Sequence, residues 1–149
     1  MARDLDSARR GDLRAFDRLA AAQHERIFTF SYRALGDAQA AADAVLAGLA
    51  QAARNLRRLG NGPLDVWLLS WVVKECLLRL REGIAGRDPA HEPDLQDCLC
   101  ELPGDLRLAL LLVDVSGLDY AAAADVLGVS REQVRQRVAQ ARWQLLDKG

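Results

Sequence analysis

The chain has 149 residues, with 20 basic and 21 acidic side chains and a net charge of −1. That near-neutral balance excludes a uniformly basic nucleic-acid coat, and an apolar content of 50% excludes a disordered polyelectrolyte. Only 5% of the residues are aromatic, so Ala and Leu dominate the apolar fraction; this favours helices over a β-sandwich or barrel. No apolar run approaches the roughly 20 residues of a membrane span, so no membrane insertion is expected. The opening MARDLDSARRGD lacks the apolar core of a signal peptide. Three cysteines, an odd and sparse set, suit a reducing compartment better than a disulfide framework. The expectation is a soluble, cytoplasmic, all-α protein.

Little in the chain supports catalysis. There are two histidines, His24 and His91, and no Gly-rich phosphate loop, H-E-x-x-H or G-x-S-x-G pattern. We therefore assign no catalytic residues, expect no cofactor and do not expect an enzyme. His91, Cys98 and Cys100, with Cys76 further off, are the best set for zinc, which needs four ligands in a tetrahedron. They lack a tight C-x-x-C or H-x-x-x-H anchor, and Cys76 in SWVVKECLLRL reads as a small hydrophobe. No metal site is expected.

Along the first block, residues 1–82, Leu5, Ala8, Leu13, Phe16 and Leu19 recur at near-helical spacing. Ile27, Phe28, Ser31, Ala34 and Leu35 form a second stripe, which Gly36 stops. Asp37 suits an N-cap for an Ala-rich helix from Ala38 to about Leu59, and Gly60-Asn61-Gly62-Pro63 then breaks the chain. Asp65 is the expected cap of VWLLSWVVKECLLRLRE, too apolar to lie on the surface and so the centre of the first core. Residues 83–97 lose periodicity, carry two Gly and two Pro and hold a charge of −3: an acidic linker.

The second block spans 98–149. Pro103 divides a short helix from a new one in which Leu106, Leu110 and Val113 form a buried face. Gly117 ends that helix, Asp119 caps YAAAADVL, Gly128 makes a turn and Ser130 caps REQVRQRVAQARWQLL. Glu132 lies one residue short of completing a capping box, so only the cap is assigned.

Two helices joined by a short Gly-containing turn form a helix-turn-helix. Ala124 is small where the helices must approach, and Val134 and Val138 face the core. The outward set is Arg131, Gln133, Gln136 and Arg137, with Arg135 alongside; Ser130 opens the helix and Arg142 extends the basic side. Residues 128–149 carry +3, so the neutral whole conceals a basic end. Arg and Gln are the side chains that grip guanine and adenine edges bidentately.

At this point the chain resembles a family, the extracytoplasmic-function (group IV) RNA polymerase sigma factors, over roughly residues 8–147. GDLRAFDRLAAAQHERIFTFSYRALGDAQAAADAV is similar to their core-binding region and WLLSWVVKECLLRLR to their promoter-melting helix. ELPGDLRLALLLVDVSGLDYAAAADVLGVSREQVRQRVAQARWQLL is similar to their promoter-binding domain. The resemblance implies two small helical domains joined by a linker, the first docking on core RNA polymerase and melting the minus-ten element. The second would read the minus-thirty-five element of promoter DNA, and an anti-sigma protein is a further implied partner. It also assigns Asp43 to polymerase binding, and Trp67, Lys74 and Arg81 to the melting helix.

The sequence departs from the family's pattern at several of these positions. Where the family reads A-E-D-x-x-Q-E, this chain keeps Asp43 but has Ala42, Leu46 and Ala47. In the melting helix Lys74 replaces the usual Asn and Leu78 the usual Asp, and the preceding loop is short. Loss of charge at a docking face weakens association. Two readings follow: a working alternative sigma factor, or a sigma-like regulator that has lost initiation and acts by binding an anti-sigma protein, another sigma factor or polymerase. A stand-alone repressor would leave the first block unexplained.

Overall fold

The computed structural model describes residues 2–60, 62–82, 99 and 101–148. Among these it is all-helical: seven α-helices and no strand. They are α1 (Ala2–Arg9), α2 (Leu13–Leu35), α3 (Ala38–Arg54), α4 (Leu64–Arg81), α5 (Gly104–Leu110), α6 (Tyr120–Leu127) and α7 (Arg131–Lys148). The linker expected at 83–97, with His91, Cys98 and Cys100, lies outside the described residues.

Local signals set the boundaries. Gly11 takes a left-handed φ of 96°, which splits the first apolar stripe into α1 and α2 and leaves Leu13 largely exposed. Asp12 caps α2 by accepting the Arg14 and Ala15 N–H groups at 3.0 and 3.3 Å. Gly36 ends it in the left-handed conformation, φ 73°. Asp37 caps α3 as expected, accepting from the Ala40 N–H at 2.8 Å.

Two expectations need correction. α3 stops at Arg54 rather than near Leu59, because the Asn55 side chain donates to the Gln51 carbonyl at 2.8 Å and competes with the helix. A 3₁₀ turn, Leu56–Arg58, then tucks Leu56 and Leu59 into the core. α4 begins at Leu64 after Pro63, so Asp65 sits in its first turn instead of capping it.

α2, α3 and α4 pack on one another, with α1 along α2. Ala41, Ala44, Leu68, Val72 and Cys76 are fully buried between them, each large aliphatic side chain contributing about 1.5–3 kcal/mol. α3 and α4 cross closely at Gly48: a Cβ there would lie 2.8 Å from the Val72 Cα. Ser31 ties the three helices, donating to the Ala41 carbonyl at 3.1 Å and contacting the Cys76 sulfur at 3.5 Å.

In the second group α5 packs on α7, as does α6. α5 runs on into a π-helical turn, Leu111–Val115, closed by the Ser116 N–H on the Leu111 carbonyl at 2.8 Å. Val113 is therefore only half-buried, whereas Leu106 and Leu110 are buried as expected. The groups meet where α4 packs on α6 and α5.

Candidate functional site

The helix-turn-helix forms as the spacing predicts. Asp119 caps α6 through the Ala122 N–H at 2.7 Å. Gly128, with φ 71°, turns the chain, and the Gly128 and Val129 N–H groups both close on the Ala124 carbonyl. Val134, Val138 and Ala141 are fully buried, which orients α7 and leaves Arg131, Gln133, Arg135 and Gln136 exposed on the opposite side.

These exposed groups are not equivalent. The Ser130 hydroxyl accepts the Gln133 N–H at 3.1 Å, and the Gln133 side-chain oxygen accepts the Ser130 N–H at 3.0 Å. This is a reciprocal capping box, overlooked in the sequence because Glu132 was tested instead of Gln133 three residues on. Gln133 is thus engaged in building the helix start. Arg135 pairs with Glu132. Arg137 is half-buried, 4.0 Å from Asp105 of α5. Arg142 makes a two-pronged pair with Asp114, its Nε donating at 2.9 Å, which fastens α7 to the π turn and raises the guanidinium pKa. The first turn of α7 and the start of α6 border a cleft of about 400 Å³ lined by Asp119, Tyr120, Ala121, Arg131, Glu132 and Arg135.

A second surface lies on α4. Trp67, Trp71, Lys74, Leu78 and Arg81 alternate at spacings of four and three and share one helix face. The Trp67 and Trp71 rings meet edge to face, 5.9 Å between centroids at 78°, and the Lys74 ammonium stands 4.4 Å from the Trp71 centroid. Both Trp residues are half-buried, and Lys74, Leu78 and Arg81 are exposed. Trp71 was read as core; the four-three spacing is the signal that assigns it to this stripe. Aromatic faces beside cations suit unstacked bases.

A third surface is the outer side of α3. Asp43 is exposed and accepts from the Gln39 side chain at 3.0 Å. Around it lie Ala42, Leu46 and Ala50, with Leu46 73% exposed, so the face carries one carboxylate in an apolar setting. No group of three His, Cys, Asp or Glu among the described residues is placed to hold a metal ion. Burial pushes the Cys76 thiol up to about 11.

Comparison with known proteins follows this division. Residues 93–145 match the family described as sigma-70, region 4. Over 156 residues the chain is 26% identical to the ECF RNA polymerase sigma factor SigE of Mycolicibacterium smegmatis, aligning 89% of this chain but only 61% of that protein. It is 29% identical over 151 residues to the ECF RNA polymerase sigma factor SigM of Mycobacterium tuberculosis, covering 91% of this chain and 77% of that one. Among solved structures, the sigma factor RpoE in complex with the anti-sigma factor NepR, from Bartonella quintana, shares the fold at a TM-score of 0.75 and 21% identity, covering 89% of this chain and 94% of that one. CnrH in complex with the cytosolic domain of CnrY gives 0.74 at 22% identity, covering 97% and 93%.

Fold and site together define an all-helical protein with a helix-turn-helix at one end and an aromatic, cationic helix at the other. The region 4 match and the likeness along nearly the whole chain place it in the extracytoplasmic-function sigma factor family.

Proposed function

We propose that this protein is an alternative sigma factor that binds core RNA polymerase and directs promoter-specific initiation in the cytoplasm, with no catalytic role of its own. The observation that carries the reading is the presence, in one chain, of the α7 recognition face and the α4 aromatic stripe. In this reading residues 1–82 dock and melt, residues 98–149 bind duplex, and 83–97 join them. Arg131, Arg135 and Gln136 read base edges, while Ser130, Gln133, Arg137 and Arg142 hold the helix that presents them. Trp67, Trp71, Lys74 and Arg81 receive the unpaired strand. Asp43 is the remaining charged contact to polymerase, and an anti-sigma protein is the regulatory partner that such surfaces suit.

A second reading has one observation in its favour. The outer face of α3 offers exposed Leu46 and Ala42 instead of a charged cluster, a surface suited to another protein. A sigma-like regulator without initiation activity would use that face.

Purified chain is mixed with core polymerase and assayed by co-purification and run-off transcription on promoter fragments. A working sigma factor co-purifies and yields new transcripts, and Asp43→Ala weakens the capture. Arg131→Ala and Gln136→Ala then each lower affinity for the selected site by about 1–3 kcal/mol. Capture without transcripts supports the regulator, and neither capture nor transcripts overturns both polymerase-based readings.

A further inference from the structure

We propose that the chain closes on itself without any partner: Arg107 bolts the second helical group to the first, and this closed form must open before both promoter elements are held at once. The inference rests on the sigma-factor reading above. Arg107, in α5, is 5% exposed. Its Nη1 donates to the Ala34 carbonyl, 73 residues away, at 2.5 Å, and its Nη2 to the Leu102 carbonyl at 2.8 Å. Ala34 lies in the last turn of α2, where carbonyls lack helical partners and the helix dipole favours a cation. The remaining contact is largely apolar. Leu80 of α4 lies against Gly104. Val66 and Leu69 line, with Val115 and Leu118, an inter-group cleft of about 250 Å³. Apolar burial favours closure without fixing its geometry, whereas the charge-assisted hydrogen bonds select one arrangement. In the open form the guanidinium regains water, so the bolt is specific yet releasable.

Closure leaves the α7 face exposed but keeps it close to α4. Elements centred ten and thirty-five positions upstream are separated by about 25 base pairs, roughly 85 Å of duplex. A compact body of this chain length is only about 40 Å across. The 15-residue linker read from the sequence reaches about 50 Å when extended. The closed form therefore holds one element, and the open form both.

The position of a Cβ on Gly104 lies 3.6 Å from the Leu80 Cβ, within the disulfide range. Leu80→Cys with Gly104→Cys, in a chain carrying Cys98→Ser and Cys100→Ser, staples the closed form under oxidant. We expect the oxidised chain to match its reduced form within twofold in binding minus-thirty-five duplex, yet to give at least tenfold fewer transcripts, restored by reductant. Small-angle scattering should show wild type as compact as the stapled chain, and Arg107→Leu expanded. Leu80→Ala, which leaves the Arg107–Leu102 bond intact, should also expand it and separates unlatching from damage to the second group. Failure of the cross-link to form, or wild type already expanded, overturns the bolt. Equal transcription by stapled and reduced chains overturns the requirement to open. A compact chain whose reduced form neither binds polymerase nor transcribes keeps the bolt and overturns the sigma-factor reading on which its role depends.

Discussion

At the start of α7, Ser130 and Gln133 cap one another through two reciprocal hydrogen bonds. Ser130→Ala should cost about 1 kcal/mol of unfolding free energy and Gln133→Ala less, both read from urea denaturation. If Gln133 acts only in the cap, its Glu variant, which keeps the acceptor, restores the stability. Cys76 provides a residue-scale test against pH. Its thiol, 9.0 in the usual range, is pushed up to about 11 by burial, with the Ser31 contact and Arg79 opposing. The folded state therefore favours the neutral thiol. The stabilisation is complete below about pH 8.5, the ordinary thiol pKa, and is lost as pH rises through about 11. Urea midpoints measured from pH 8 to 11 should fall in wild type more steeply than in Cys76→Ala.

Between elements, the tightest constraint is the crossing of α3 and α4. An added Cβ at Gly48 would stand 2.8 Å from both the Val72 Cα and its Cγ2. The Cα belongs to the backbone, so a rotamer change cannot relieve the overlap and the helices must separate. Gly48→Ala should therefore destabilise the chain by about 1–3 kcal/mol, despite the higher helix propensity of Ala. A gain in the urea midpoint would show that the helices are not packed this closely. The same crossing aims the α4 stripe outward, because Leu68, Val72 and Cys76 occupy the opposite, fully buried side.

For the whole molecule, contact of α4 with both α5 and α6 couples the two helical groups. Trp67 and Trp71 lie in the first group and Trp143, 71% exposed, in the second. In Trp143→Phe the fluorescence follows the first group alone, while circular dichroism follows every helix. The two unfolding curves should coincide if the groups melt together. Separate midpoints would show that the interface carries too little free energy to couple them.

Much of the fold was legible in the sequence because its signals are local. Left-handed glycines at Gly36 and Gly128, the caps at Asp37, Asp119 and Ser130, and the inward Val134 and Val138 each depend on a few neighbouring residues. The exposed face of α7 followed from the same periodicity. What only the tertiary structure decided involves competition between groups remote in sequence or sharing a hydrogen-bond acceptor. Asp114 takes Arg142, Asp105 stands beside Arg137, and the bare backbone at Gly48 admits Val72. Arg107 reaches a carbonyl 73 residues away. Periodicity assigns a side chain to a face, but its partner is set by which helices the core brings together.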